Sequence, residues 1–259
     1  CVEKAGLEIT DICLQPLASG SIALSKDERN LGVALVDIGG GSTTIAVFED
    51  GFLKATSVLP VGGEYITKDI SIGLRTSTED AEKIKQKHGH AFYDHASDEE
   101  VFSVPIIGSD QHQQFSQLEI SDIIEARMEE IFELVQHEIK RLGVREIPGG
   151  YVLTGGVVAM PGVLELAQLI LNNNVRKAVP DYIGVREPQY TTGVGLIQFA
   201  YKNAKLQGRK IETTSAPSEY PEKRSGKQTQ QKVKQAKQPV NEEEKVGNKV
   251  KKFFGLFFE

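Results

Sequence analysis

Apolar positions in this chain follow two rhythms, and each predicts a different element. Leu31 to Val36 is an unbroken apolar run that reads as a buried strand. Thr44 to Glu49 reads as a returning strand, and Glu49-Asp50-Gly51 as the turn that follows it. Tyr151-Val152-Leu153 predicts a further short strand. Val101 to Ile107 and Gln113 to Leu118 predict a hairpin. Elsewhere the spacing is helical. Ile66, Ile70, Ile72 and Leu74 follow Val61-Gly62-Gly63, and a second helix is predicted over 78–88. Ile120, Ile123, Ile124, Met128, Ile131, Val135, Ile139 and Leu142 form one long stripe, opened by Ser121 and Asp122 and ended by Gly143. That stripe reads as core. Pro161 suits the first turn of a helix through Leu164, Leu166, Leu169 and Ile170. After an apolar stretch at 179–185, Thr191 opens a last helix through Leu196, Ile197, Phe199 and Ala200. Val2, Ala5 and Leu7 read as the end of a helix.

These elements divide the chain. Residues 31–75 and 149–206 read as one α/β subdomain, interrupted by an inserted subdomain over 76–148. Residues 1–30 read as the connection from a preceding part, because the chain begins at Cys1 without a Met. From 207 to 244 large apolar residues almost vanish, and Lys, Gln, Glu, Ser and Pro dominate. Such a segment buries too little surface to offset ordering entropy, so a disordered linker is predicted. Residues 245–259 regain a helical pattern. Val246, Val250, Phe253, Phe254 and Phe257 share one face, Phe258 lies beside it, and Lys249 and Lys252 lie opposite or at its edges.

Charge sharpens this picture. The net charge of −6 hides an asymmetry: 208–259 holds 12 Lys and Arg against 7 Asp and Glu, or +5, which leaves −11 for the rest. A basic, phenylalanine-faced helix fits the interface of an anionic membrane. Aromatic interleaving on an ordered basic surface is missing, so nucleic acid is not the expected partner. The two cysteines, Cys1 and Cys13, show neither metal nor disulfide spacing.

Chemistry concentrates in two glycine-rich turns. Asp37-Ile38-Gly39-Gly40-Gly41-Ser42-Thr43 joins the first two strands, and Leu153-Thr154-Gly155-Gly156 follows a strand. Glycine permits positive φ and close approach of backbone to ligand, so the first turn, with the Ser42 and Thr43 hydroxyls, suits phosphate oxygens. Asp37 suits a hydrated Mg2+ rather than the phosphate itself. A plain glycine-rich hairpin is the alternative. The turn is neither a Walker loop nor a Rossmann fingerprint. Glu82 and Lys85 share one helical face, a spacing that usually makes a surface ion pair.

The order Asp-Ile-Gly-Gly-Gly-Ser-Thr, Val-Gly-Gly, Ala81-Glu82-Lys83-Ile84-Lys85 and Leu-Thr-Gly-Gly with Pro161-Gly162 resembles the actin/Hsp70/sugar-kinase superfamily. Within it, the Ile124-Glu125-Ala126-Arg127 helix and the tail resemble the FtsA family of actin-like bacterial division proteins. The resemblance implies the second half of an actin-like (ribonuclease H-like) α/β fold, with an inserted α+β subdomain, a disordered linker and a C-terminal amphipathic helix. It implies that Asp37 and Gly39, Gly40, Gly41, Ser42 and Thr43 form a phosphate loop. Gly62 and Gly63 would border the nucleotide, and Glu82 and Lys85 would face ribose and base. Gly155, Gly156 and Met160 would line adenine.

The implied ligands are ATP and Mg2+, the latter held by Asp37 through water. The implied partners are the C-terminal peptide of the tubulin-like FtsZ, met by the insertion with Arg127, and anionic membrane lipid. Self-association through the actin-like body and contacts with other division proteins are implied as well. The resulting expectation is a cell-division adapter at the cytoplasmic face of the membrane, with at most slow ATPase activity in the full-length protein. The alternatives are an ATPase or kinase of the superfamily, or a pilus-assembly or shape-determining actin homologue.

Overall fold

A computed structural model describes residues 1–9, 11–109 and 111–208. In chain order the elements are α1 (Gln15–Ala23), α2 (Lys26–Leu31), β1 (Val33–Ile38), β2 (Thr43–Glu49) and β3 (Phe52–Leu59). Then come α3 (Gly63–Leu74), α4 (Thr78–His88), β4 (Val101–Pro105), β5 (His112–Ser116) and α5 (Gln117–Arg141). The chain closes with β6 (Tyr151–Thr154), α6 (Val163–Leu171), β7 (Val175–Lys177) and α7 (Thr191–Leu206).

Five strands form one sheet in the order β3-β2-β1-β6-β7. β1, β2 and β3 are an antiparallel meander, while β1, β6 and β7 run parallel. The central strands are apolar on both faces because both faces are covered. On one side Ala34, Val36, Ile38, Ile45 and Val47 join the buried stripes of α3, α5 and α6. On the other, Val33, Leu35, Ala46, Phe48 and Val152 pack with Ala23 and Leu24. At the sheet edge β3 alternates exposed and half-buried residues. The core is continuous through the segment between β3 and β6, since Met128, Ile131 and Val135 of α5 lie in the same cluster as the sheet. Among the described residues no helix is long and apolar enough to cross a membrane.

Several expectations need correction. The first strand begins at Val33, because Leu31 closes α2. That helix is set by a Ser25/Glu28 capping box that the apolar pattern does not reveal. The first seven residues hold only a 3-10 turn at Glu3–Ala5. The long helix starts at Gln117, not at Ser121 and Asp122. Ser116 caps it, with the Glu119 N–H donating to Ser116 Oγ at 3.3 Å and the Ser116 N–H to Glu119 Oε2 at 2.7 Å. The stretch at 179–185 carries no strand; the edge strand β7 precedes it. The linker and tail lie outside the described residues.

Candidate functional site: a cleft between two glycine turns

β1 and β6 are parallel neighbours, with Asp37 paired to Thr154 at their carboxyl ends. Both glycine turns therefore leave the same end of the sheet. Open α/β sheets bind ligands outside the carboxyl ends of such strands. The approach between the turns is close enough to dictate residue type. Gly155 has φ 96° and ψ 164°, a region that is essentially glycine-only. A Cβ there would collide with the Ile38 carbonyl and stand 2.5 Å from Asp37 Oδ1.

The first turn is braced from behind. The N–H groups of Gly63 and Glu64, which open α3, donate to the carbonyls of Gly39 (2.9 Å) and Gly40 (2.8 Å). A Cβ at Gly62 would sit 2.5–2.6 Å from those same carbonyl oxygens. With its carbonyls drawn towards α3, the turn keeps the N–H groups of Gly40 and Gly41 without an acceptor among the described residues. None of Gly39, Gly40 and Gly41 has positive φ, contrary to the expected use of glycine here. A Cβ at Gly40 or Gly41 would meet only the flexible Glu64 carboxylate, at 3.6 Å or more. The same holds across the cleft at Gly156, where the nearest atom is Gln189 Cβ at 3.9 Å.

Thr43 departs from expectation. It is buried, and its hydroxyl donates to the Val61 carbonyl at 2.8 Å, tying β2 to the entry of α3. Ser42 is half-buried and accepts from the Gly39 N–H through its carbonyl at 2.9 Å. Asp37 lies between α1 and α7. Its Oδ2 accepts from Gln15 Nε2 at 2.8 Å and from the Thr192 hydroxyl at 3.0 Å. Gln15 and Thr192 orient this carboxylate. They went unread in the sequence because they meet Asp37 from 22 and 155 positions away.

Glu82 and Lys85 are not a surface pair. The Lys85 side chain is 10% exposed, and its three N–H groups reach the Gly63 carbonyl (3.0 Å), Thr67 Oγ1 (2.8 Å) and Glu82 Oε2 (2.7 Å). Thr67 also bonds Glu82. Burial alone would raise the Glu82 pKa; hydrogen bonds from Lys85, Thr67 and Gln86 outweigh it and hold the carboxyl below its ordinary value. One cavity of about 520 Å³ is lined by Gly40, Gly63, Glu82, Lys85, Gly156 and Met160, together with Gln86, Val157, Glu187 and Gln189. A larger opening of about 1070 Å³ shares Gly40, Glu82 and Lys85 with it and runs between α3 and α4.

Arg127 stands apart from the cleft. Its Nε and Nη2 donate to Asp69 of α3 at 2.6 and 3.2 Å, it pairs with Glu130, and its guanidinium lies 5.7 Å above the Tyr65 ring. It clamps α5 to α3. The membrane-facing residues expected at Val246, Lys249, Val250, Lys252, Phe253, Phe254, Phe257 and Phe258 lie outside the described residues.

The family model described as "Cell division protein FtsA" matches residues 34–195, which include both glycine turns and the cavity between them. The chain belongs to the FtsA family. FtsA of Bacillus subtilis (strain 168) is 68% identical over 211 residues, covering 82% of this chain and 48% of that protein. FtsA of Enterococcus faecalis is 36% identical over 271 residues, covering 100% of this chain and 61% of its own length. The chain thus spans about half the length of the FtsA relatives it matches. Among solved structures, MreB5 of Spiroplasma citri bound to ADP matches with a TM-score of 0.66 at 18% identity, over 80% of this chain and 64% of that one. The fold is accordingly actin-like. Membership of the FtsA family supports a role in cell division.

Proposed function

We propose that this chain is the nucleotide-binding C-terminal part of a division adapter. In this reading it binds Mg-ATP between its two glycine turns and links FtsZ to the cytoplasmic face of the membrane. One observation carries the nucleotide reading. Gly40, Gly41 and Gly156 are glycines that the chain's own packing does not require, and Gly40 and Gly156 line one cavity. The space their side chains would fill suits a ligand that approaches the backbone. The free N–H groups of Gly40 and Gly41 suit phosphate oxygens. In this reading the base lies at the Gly156 and Met160 end. The ADP bound by the actin-like MreB5 structure supports this assignment.

Magnesium fits the same site on the donor set. No group of three metal-ligating side chains exists among the described residues. Asp37, whose Oδ2 already accepts two hydrogen bonds, would hold a hydrated ion through its other oxygen. The ion would supply charge neutralisation beside the phosphates. Partner binding falls to the 76–148 segment with Arg127, and membrane attachment to 245–259. The Enterococcus relative aligns over the whole of this chain, tail included, which supports a common function for that segment.

Co-sedimentation tests the tether. Full-length protein is mixed with anionic vesicles and a labelled acidic, apolar FtsZ-type peptide. The peptide should pellet with the vesicles. The double substitution Phe254→Glu/Phe257→Glu, which puts two charges in the apolar layer, should abolish pelleting without weakening peptide binding in solution. Equal pelleting by wild type and variant would refute the tether.

A further inference from the structure

A third cavity, of about 490 Å³, lies at the opposite end of the sheet from the glycine turns. Tyr151 opens β6 beside Ala34 of β1, whereas the turns leave the other end of these strands beyond Asp37 and Thr154. The cavity is walled by Ile139 near the end of α5, Ile147 in the connection to β6, and Leu171 at the end of α6, all buried. The wall is held in place by backbone contacts. Asn173 Nδ2 donates to the Ile147 carbonyl at 3.3 Å, and the Gly149 N–H to the Gly32 carbonyl at 2.7 Å.

Tyr151 lines this cavity and is only 7% exposed, yet its hydroxyl has no hydrogen-bond partner among the described residues. No fully buried polar side-chain atom among them lacks a partner, so the hydroxyl keeps access to the cavity. Burial pushes the Tyr151 pKa up, which keeps the phenol protonated and a donor. Lys140 and Arg145 share the lining, are exposed, and form no ion pair among the described residues. Arg141, the cation between them in the chain, is engaged by Glu138. Lys140 is not needed to cap α5, because the N–H groups of Leu142, Gly143 and Val144 close on its last carbonyls at 2.9, 3.0 and 3.3 Å. Glu146 is the one acidic group on the lining, so the cavity is net positive.

We infer that this cavity binds an apolar carboxylic acid. Its hydrocarbon lies among Ile139, Ile147 and Leu171, and its carboxylate accepts from the Tyr151 hydroxyl and faces Lys140 and Arg145. Apolar walls with a few convergent polar groups are the usual form of a small-ligand site. A buried hydroxyl without a partner costs stability that a ligand oxygen recovers. Two unpaired cations beside it favour an anionic acceptor, since hydrogen bonds to a charged group are the stronger ones. An amine would meet like charge, and a neutral chain would leave both cations unused. A free acid and the C-terminal residue of a peptide present the same end group.

The test is calorimetric titration of full-length protein with octanoate, with 1-octanol, and with a short peptide ending in leucine whose C-terminus is free or amidated. Octanoate should bind saturably, and octanol, the same chain without the charge, about tenfold or more weakly. Tyr151→Phe should weaken octanoate binding about fivefold. The double substitution Lys140→Gln/Arg145→Gln should weaken it about tenfold or more, and Glu146→Gln should tighten it about twofold. None of these variants removes a hydrogen bond or ion pair within the described residues, so their thermal melts should match wild type. Tighter binding of the free-carboxylate peptide than of octanoate assigns the acid to a chain terminus, and the reverse assigns it to a free acid. No saturable binding of either acid overturns the inference, as does octanoate affinity unchanged in Tyr151→Phe and in Lys140→Gln/Arg145→Gln. If octanoate fails and the double variant instead lowers self-association in sedimentation, a second copy covers the cavity and the acid is ruled out.

Discussion

Two glycines one residue apart do opposite work at the cleft. Gly155 is required by the fold, with its φ of 96° and a carbonyl and a carboxylate against the missing side chain. Gly155→Ala should destabilise the protein by about 1–3 kcal/mol from backbone conformation alone, more with the collision. A thermal melt should show it. Gly156→Ala, where nothing lies closer than 3.9 Å, should leave the melt nearly unchanged. Sequence could not separate the two, since both occur in one Thr-Gly-Gly string. The distinction comes from β6 lying parallel to β1, a long-range fact. The Thr43 hydroxyl was misread for the same reason: its acceptor, Val61, is 18 positions away. A second residue-scale prediction concerns acid. The bidentate Arg176 guanidinium beside Glu28 holds its carboxyl down at about 2, against an ordinary 4.5, with the Ser25 cap assisting. A depressed carboxyl stabilises the fold above its unfolded pKa and loses that contribution as pH falls through the folded value. Stability should therefore decline between about pH 4.5 and 2 in wild type, and Arg176→Met should flatten that part of the curve in acid-unfolding measurements.

At the scale of elements, the apolar rhythm revealed α3, α5 and α6 because each has one buried apolar face, and it marked α7 although Leu196 and Ile197 there are exposed. It missed α1 and α2. α1 has little amphipathic contrast and includes Gly20, and α2 has no buried residue, being held by caps and by the Glu28–Arg176 pair. The start of α5 was misplaced because Ser121 resembles a cap. Instead it is buried on the helix, and its hydroxyl donates to the His90 carbonyl at 2.9 Å. Arg127 raises a sharper question, for its guanidinium is already held by Asp69 and Glu130. If it also meets an acidic partner peptide, Asp69 competes with that peptide. Asp69→Asn should then strengthen peptide binding measured by fluorescence anisotropy, about twofold or more, while Arg127→Glu should weaken binding and lower the melting temperature by setting like charges against α3. Unchanged affinity in Asp69→Asn would assign Arg127 to the α3–α5 clamp alone.

For the whole molecule, the sheet places two loops at the carboxyl ends of its central strands, and the helices on either side fix what each loop presents. α3 draws the carbonyls of the first turn backwards, α1 and α7 orient Asp37 through Gln15 and Thr192, and α4 brings Glu82 and Lys85 to the cleft wall. The actin-like order of motifs was legible because short glycine strings mark strand ends. The direction in which each polar side chain faces was not, because it depends on packing between elements far apart in sequence. The central claim is that these turns hold a nucleotide, and calorimetric titration of Mg-ATP into full-length protein tests it most directly. Wild type should bind saturably. Gly40→Val, which fills the cleft without needing a forbidden backbone, should bind at least about tenfold more weakly, roughly 1.4 kcal/mol, with its thermal melt unchanged in the absence of nucleotide. Equal affinity in two equally folded proteins would contradict the account.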